Sequence, residues 1–135
     1  MTVDHVTRLA PRAELQALLD DLSTADAAFA VVLCDVVGLK RINDSQGFAA
    51  GDVALAAAAD RLRESVTGAA LLARLGGDEF MVVFVGAEAA RHAATTAERL
   101  SADGAPPFRS AASAARPGET PTALIDRLYA TLRRS

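Results

Sequence analysis

Residues 71–85 read LLARLGGDEFMVVFV and contain two apolar runs, Leu71–Leu75 and Glu79–Val85, on either side of a short polar stretch. The runs are short, and the second is rich in β-branched and aromatic residues, which favours strands over helices. Between them, residues 76–78 (Gly-Gly-Asp) are typical of a tight hairpin, because glycine adopts positive φ angles without steric cost. The stretch therefore predicts a β-hairpin whose turn carries acidic side chains.

Another strand is predicted over Ala28–Val37, which is apolar almost throughout. An apolar run of this length is typical of a strand covered on both faces, so we expect it at the centre of a sheet. Its only carboxylate, Asp35, comes near its end. If this strand lies beside the hairpin, then Asp35, Asp78 and Glu79 converge on one end of the sheet.

Carboxylates placed this close repel one another unless a cation joins them. Hard oxygen ligands select Mg²⁺ or Mn²⁺, and Mg²⁺ is usually held by one or two carboxylates together with substrate phosphates. Gly76 and Gly77 carry no side chains, so their backbone can approach a phosphate or a sugar closely. The acidic hairpin therefore indicates a site for a metal ion and a nucleoside triphosphate.

Helical spacing of apolar residues surrounds these strands. The predicted helices cover Arg12–Leu22, a segment that starts at Asp52 and carries apolar residues from Leu55 to Val66, and Ala87–Leu100, followed by a last helix with Thr120 as N-cap and Pro121 at its first position. Polar turns are predicted at Asn43–Gly47 and at Gly51, and a weak strand at Phe108–Ala114. Because helices alternate with strands, with at least one helical crossover, we expect residues 1–135 to form one α/β (α+β) domain.

Composition narrows the classes of protein that fit. The chain has 135 residues, 51% hydrophobic and 23% charged, with no Trp, so we expect a folded domain with an aliphatic core. The 14 Lys and Arg against 17 Asp and Glu give a net charge of -3, which argues against binding to nucleic-acid polymers or anionic membranes. A single Cys excludes an internal disulfide, and no segment resembles a membrane span or a secretion signal. These features predict a cytoplasmic protein.

Three segments resemble the GGDEF, or diguanylate cyclase, family. Residues 76–80 read GGDEF and follow Ala73-Arg74-Leu75, residues 35–44 read DVVGLKRIND, and residues 47–52 read GFAAGD. The last two are similar to the family segments D-x-D-x-F-K-x-I-N-D and G-H-x-x-G-D, in the same order and spacing. Further similarities lie at Asp4, Thr7, Leu9 and Arg12 and at Leu128-Tyr129, so the resemblance covers nearly the whole chain.

This resemblance implies a fold, a reaction and partners. Family members have a polymerase-palm-like fold, here expected as a ferredoxin-like antiparallel or mixed sheet flanked by helices. They condense two GTP molecules into cyclic di-GMP and release pyrophosphate, with each protomer of an antiparallel homodimer holding one GTP. The resemblance therefore implies GTP as the substrate, Mg²⁺ or Mn²⁺ as the cofactor and a homodimer during catalysis. It leaves the identity of any regulatory partner protein open.

Metal-binding and catalytic residues are also implied by the match. Asp35 and Asp78 correspond to the metal-binding carboxylates of the family, and Val36 to the residue whose carbonyl oxygen completes the coordination. Glu79 corresponds to a second acid, which either activates the 3′-hydroxyl group or binds metal.

The match further implies substrate contacts. Asn43 and Asp52 correspond to the pair that reads the edge of guanine, an arrangement that would reject adenine. The backbone of Gly38 and Leu39 corresponds to the turn that donates hydrogen bonds to the β and γ phosphates. Lys40 lies where the family keeps a supporting lysine.

Several positions depart from the family pattern. Val37 replaces an acid, and Phe48 replaces a histidine. Residues 67–70 (Thr-Gly-Ala-Ala) lack both charges of the inhibitory R-x-x-D site, so we expect no feedback inhibition there. Leu132 stands where the family has a phosphate-binding lysine, with Arg133 or Arg134 as potential substitutes. Residues 100–121 are shorter than in the family, which predicts that a peripheral strand or hairpin is missing.

Two alternative functions stay open at this stage. The same metal site would also suit synthesis of a different cyclic nucleotide, or the chain would be a catalytically silent GTP-binding or interaction module. Cys34, His5 and His92 have no partner at metal or triad spacing, so Cys34 is expected in the core and both histidines at the surface.

Overall fold

The computed structural model describes residues 3–102 and 104–134. In chain order the elements are α1 (Arg12–Thr24), β1 (Phe29–Val36), α2 (Leu39–Gln46), α3 (Phe48–Ser65), β2 (Leu71–Arg74), β3 (Glu79–Val85), α4 (Ala89–Ser101), β4 (Phe108–Ala114) and α5 (Pro121–Arg133).

The four strands form one sheet in the order β2-β3-β1-β4, and every neighbouring pair is antiparallel. Strand β1 is central, as predicted. Helices α2 and α3 connect β1 to β2, and helix α4 connects β3 to β4, so each helical connection skips one strand of the sheet. This is the split βαβ arrangement of ferredoxin-like domains. The predicted α+β fold class is confirmed, with a purely antiparallel sheet.

The two faces of the sheet bury separate apolar clusters, because successive side chains of a strand point to opposite faces. On one face, Ala30, Val32 and Cys34 of β1 pack with apolar residues of α3 and α4. On the other face, Val31 and Leu33 pack with apolar residues of α1 and α5. The buried Cys34 thiol donates to the carbonyl oxygen of Phe80, and burial raises its pKa. The predicted core position of Cys34 is therefore confirmed.

The predicted turns at Asn43–Gly47 and Gly51 are wrong. Residues 39–46 form α2, and α3 begins at Phe48, four residues before the predicted start at Asp52. The chain bends at Gly47 alone, where φ is 91°. Gly51 lies buried inside α3 because its missing side chain leaves room for Asn43 of α2. Close packing of these two helices thus overrides the local preference of Asn, Asp and Gly for turns.

The hairpin of β2 and β3 forms as predicted, with Leu71 opposite Val83 and Arg74 opposite Phe80. The expected reason for its glycines is wrong, because neither Gly76 nor Gly77 has a positive φ angle. A Cβ atom on Gly76 would lie 3.3 Å from Cδ of Glu79 and closer still to its Oε1. Gly76 is therefore needed for space rather than for backbone conformation.

The C-terminal part agrees with the predicted elements. Strand β4 covers Phe108–Ala114, and α5 begins with Pro121 at its first position, after Thr120, whose hydroxyl accepts a hydrogen bond from the backbone N–H of Ala123 at 3.1 Å. None of the helices within residues 3–102 and 104–134 is long and apolar enough to cross a membrane.

Candidate functional site

The end of β1 brings acidic residues from separate segments together. Asp35 lies opposite Glu79 of β3, and the backbone N–H of Val36 donates to the carbonyl oxygen of Asp78 at 3.1 Å. The structure therefore places the segments of all four predicted metal and catalytic residues side by side, as the sequence predicts for adjacent strands. Pairing between strands is the cause, since these positions are more than 40 residues apart in the chain.

Asp35 forms an ion pair that the sequence did not predict. In the sheet it lies opposite Arg109 of β4, whose Nε donates to Oδ1 at 3.2 Å and whose Nη2 donates to Oδ2 at 2.8 Å. The Asp35 side chain is 13% exposed and that of Arg109 is 50% exposed. The hydrogen bond and charge of Asp35 raise the pKa of Arg109, with a further contribution from the charge of Asp78. One sequence signal existed, because Arg109 is the second residue of the predicted last strand.

Glu79 is held by Tyr129 of α5. The Tyr129 hydroxyl donates to Oε1 of Glu79 at 2.8 Å, which leaves Oε2 as the second acceptor of this carboxylate. Burial of the ring, together with the hydrogen bond and charge of Glu79, raises the pKa of Tyr129 to about 12. The side chain of Glu79 also covers Gly76, so the turn and α5 fix its orientation together.

Arg74 shapes the turn formed by residues 76–78, which we call the signature turn. Its Nε donates to the carbonyl oxygen of Gly76 at 3.2 Å and its Nη2 to that of Gly77 at 2.8 Å. Its Nη1 pairs with Asp4 at 3.1 Å. Arg12 adds a hydrogen bond to the carbonyl oxygen of Leu75 at 3.2 Å. Asp4 and Arg12, noted only as similarities in the sequence, thus support the signature turn.

A cleft of about 440 Å³ lies between the signature turn and helices α2 and α3. The predicted base-reading residues, Asn43 and Asp52, line this cleft with Lys40, and the signature turn contributes Gly77 and Asp78. Three separate motif segments therefore face one opening. A larger groove of about 680 Å³, lined by residues 22–29 and 115–121, contains none of the predicted site residues.

The Asn43 side chain occupies the space left by the missing side chain of Gly51. A Cβ atom on Gly51 would lie 2.9 Å from Cγ of Asn43 and closer still to its Oδ1. Under about 3 Å the two groups overlap, so an alanine at position 51 would displace the Asn43 side chain. The segment G-F-A-A-G-D thus contains Asp52, which is predicted to read the base, and Gly51, which leaves space for the Asn43 side chain.

The predicted phosphate-binding turn lies at the start of α2. Gly38 precedes this helix with a φ angle of 84°, a left-handed conformation that favours glycine, and Leu39 is buried as its first residue. The first N–H groups of a helix have no partner within the helix and can bind an anion. Lys40 is exposed, and the structure as described gives it no ion pair.

The donor atoms at the end of β1 suit a divalent ion that also binds the substrate. Asp35, Asp78 and the carbonyl group of Val36 offer hard oxygen ligands. Among residues 3–102 and 104–134, no three His, Cys, Asp or Glu side chains form a group that could hold a metal ion by themselves. Mg²⁺ is commonly held by one or two carboxylates plus phosphate oxygens, so this donor set fits Mg²⁺ together with a nucleotide.

The structure shows the exposure and the neighbours of several positions that depart from the family pattern. Phe48 lines the cleft and is 78% exposed. Leu132 is buried in the apolar cluster beneath α5, so this position carries no cation into the site. Arg133 and Arg134 make no ion pair with a site residue in the part of the chain that the structure describes. His92 is exposed and lies against the ring of Phe84, as expected for a surface histidine.

Comparisons with known proteins agree with this fold. The family described as "Diguanylate cyclase, GGDEF domain" matches residues 1–117, so the chain belongs to the GGDEF family. The chain is 38% identical over 101 residues to the bifunctional diguanylate cyclase/cyclic di-GMP phosphodiesterase MucR of Pseudomonas aeruginosa, covering 72% of this chain and 15% of that protein. It is 36% identical over 110 residues to the diguanylate cyclase TpbB of the same species, covering 78% of this chain and 25% of TpbB.

A solved structure shows the same architecture. The GGDEF domain of DgcB from Caulobacter crescentus, in complex with c-di-GMP, matches with a TM-score of 0.82 at 24% sequence identity. The match covers 99% of this chain and 89% of the DgcB chain, which establishes a shared fold. The present chain spans a quarter or less of the length of MucR and TpbB.

Proposed function

We propose that this chain is a Mg²⁺- or Mn²⁺-dependent diguanylate cyclase, which condenses two GTP molecules into cyclic di-GMP with release of pyrophosphate. One observation carries the proposal: the signature turn, which is hydrogen-bonded to the end of β1 through Asp78, lines the same cleft as Asn43 and Asp52. A purine base bound at these two residues would direct its triphosphate toward Asp35 and Asp78.

Selection of guanine follows from the chemistry of Asp52 and Asn43. An ionised carboxylate only accepts hydrogen bonds, and the N1–H and N2 amino groups of guanine both donate. Adenine has no N–H donor at N1 and no amino group at C2. A site that binds a substrate through such donors disfavours an analogue that lacks them, because the acceptor then loses its hydrogen bonds to the base. GTP is therefore preferred over ATP.

The start of α2 would bind the triphosphate. The amide groups of Gly38 and Leu39 donate to phosphate oxygens, and the exposed Lys40 contributes a positive charge that no acidic partner neutralises within the described chain. Asp35, Asp78 and the carbonyl oxygen of Val36 would hold a divalent ion, which would supply positive charge to stabilise the phosphates.

Glu79 is the proton acceptor of the proposed reaction. Tyr129 occupies Oε1 of Glu79, so Oε2 is available to accept the proton of the attacking 3′-hydroxyl group. The product joins two nucleotides, and one chain contains one base-reading pair. Two protomers with their sites facing each other are therefore needed for each product molecule.

Incubation of the protein with GTP and Mg²⁺, followed by chromatography and mass spectrometry, tests this proposal. We expect cyclic di-GMP from the wild type and a loss of at least a hundredfold in Asp78→Asn, which keeps the side-chain shape and removes the charge. Unaltered GTP in the wild-type reaction, or undiminished product from Asp78→Asn, would contradict it.

Two alternatives each have a specific observation in their favour. Because Leu132 is buried and brings no cation to the phosphates, a different cyclic nucleotide is the second candidate product, which mass spectrometry of the same reaction identifies. Because Arg109 already pairs with Asp35, a catalytically silent GTP-binding module is the third candidate. Calorimetry that shows GTP binding without turnover would favour the silent module.

A further inference from the structure

Arg109 stands where a metal ion would have to bind Asp35. The strand register places it beside Asp35, since Cys34 pairs with Ser110 and Leu33 with Ala111 along the same ladder. Directly opposed residues point to the same face of a sheet, so the two side chains meet without any distortion of β4. The contact is therefore set by the sheet and not by a flexible loop.

The guanidinium group uses both oxygen atoms of the Asp35 carboxylate. Its Nε and Nη2 atoms form the two hydrogen bonds at 3.2 Å and 2.8 Å, which is the bidentate geometry that arginine forms with carboxylates. A divalent ion at Asp35 needs at least one of these oxygens. It would also meet the positive charge of Arg109 at close range, and like charges repel.

Arg109 is nevertheless open to solvent on one side. Its side chain is 50% exposed, whereas Asp35 is 13% exposed, so the guanidinium group can turn into solvent while the carboxylate stays in place. Exposed ion pairs are weak, because solvent and salt screen them. A divalent ion of sufficient concentration can therefore displace Arg109 from Asp35.

We propose that Arg109 is a built-in competitor of the divalent ion, a positioning residue that occupies Asp35 until metal displaces it and so lowers the affinity of the site for metal. This inference rests on the metal role of Asp35 in the proposed function. It predicts that the site binds metal weakly in the absence of nucleotide and that removal of Arg109 strengthens this binding.

Titration of the protein with Mn²⁺ alone, followed by electron paramagnetic resonance of free Mn²⁺, tests the proposal. We expect Arg109→Ala and the polar Arg109→Gln to bind Mn²⁺ about tenfold more tightly than wild type, a change equal to about 1.4 kcal/mol. Arg91→Ala is the matched control, because it removes an exposed arginine that pairs with Glu88 on α4 and causes the same change in net charge. Its Mn²⁺ affinity should equal that of wild type.

A second measurement follows Arg109 directly. In the nuclear magnetic resonance spectrum of the wild type, addition of diamagnetic Mg²⁺ should shift the Nε–H signal of Arg109 toward that of a solvated arginine. In Asp35→Asn the signal should already have this position and should not respond to Mg²⁺. A wild-type signal that ignores Mg²⁺ at concentrations that occupy the site would overturn the proposal.

The outcomes separate this inference from the proposed function. Equal Mn²⁺ affinity in wild type and in both Arg109 variants, with loss of binding in Asp35→Asn, would overturn competition by Arg109 and leave the metal site intact. No Mn²⁺ binding in any variant would overturn both the competition and the metal role of Asp35. Tighter binding in Arg109→Ala without any cyclic nucleotide product would support the competition and contradict the cyclase activity.

Discussion

Replacement of Gly51 by alanine should separate nucleotide binding from stability. Gly51 is buried within α3, and an added Cβ atom would lie 2.9 Å from Cγ of Asn43. The obstacle is the end of a partly exposed side chain and not a backbone atom, so Asn43 can swing toward solvent at little cost. Alanine is more stable than glycine in a helix interior by about 1 kcal/mol. The free energy of unfolding should therefore stay within about 1 kcal/mol of wild type.

Nucleotide affinity should fall in the same variant. Displacement of Asn43 removes one or two hydrogen bonds to the base, each contributing about 0.5–1.5 kcal/mol. The sum of about 0.5–3 kcal/mol corresponds to roughly twofold to 150-fold weaker binding. Calorimetric titration with guanosine 5′-[β,γ-imido]triphosphate and Mg²⁺ measures the affinity, and urea denaturation measures the stability.

A double-mutant cycle provides the control. If Gly51→Ala acts by moving Asn43, it should have no further effect on affinity in an Asn43→Ala background. Wild-type affinity in Gly51→Ala would refute the reasoning. So would an equal loss of affinity with and without Asn43, because the substitution would then act on another part of the cleft.

Three further predictions concern the surroundings of the site and the fold. Tyr129→Phe removes the hydrogen bond to Glu79 and should lower kcat up to about tenfold with little change in KM. Steady-state kinetics measures both constants, and an unchanged kcat would contradict a positioning role for Tyr129. Glu119→Gln should destabilise the protein by about 1–2 kcal/mol at pH 7, because hydrogen bonds from Arg127 hold the pKa of Glu119 below its ordinary value of 4.5. This stabilisation needs the ionised form of Glu119, so the difference in unfolding free energy between wild type and Glu119→Gln should shrink as the pH falls through 4.5 and below. Urea denaturation measures this difference, and a difference that does not change with pH would exclude ionisation of Glu119 as its cause. Arg74→Ala should lower the free energy of unfolding by about 2–3 kcal/mol and abolish product formation. Arg74→Lys should not restore product formation, because a lysine cannot reach the three acceptors at once. Full activity of the lysine variant would contradict this.

Local pattern was sufficient for much of the fold. β4 has the predicted bounds, and the central strand lies within Ala28–Val37. Thr120 caps α5, as predicted from its position before Pro121. These elements depend on apolar spacing and on the conformational limits of single residues, both of which can be read along the chain.

The local sequence pattern failed where two residues close in the sequence pack against each other in the folded structure. Polar residues around Asn43 favour turns locally, but the contact between α2 and α3 makes that segment helical. Gly76 was expected to allow a positive φ angle, and its actual contribution is room for the side chain of Glu79. In both cases the decisive neighbour is a side chain whose direction depends on packing.

The candidate site divides in the same way. Its acids lie in two of the three motif segments, and the proposed base-reading residues, Asn43 and Asp52, were identified through the resemblance of those segments to the GGDEF family. The role of Arg74 required the structure, since three acceptors around one guanidinium group are visible only once the signature turn has formed.

The amino-acid sequence by itself determined which segments become strands, which ends carry acids and which family the chain resembles, because these depend on neighbours along the chain. Only the tertiary structure decided that Asp35 forms an ion pair with Arg109. Arg109 is 74 residues away in sequence, and the register between β1 and β4 brings its guanidinium group to the carboxylate. That register results from burial of both sheet faces at once, which is a property of the whole folded chain.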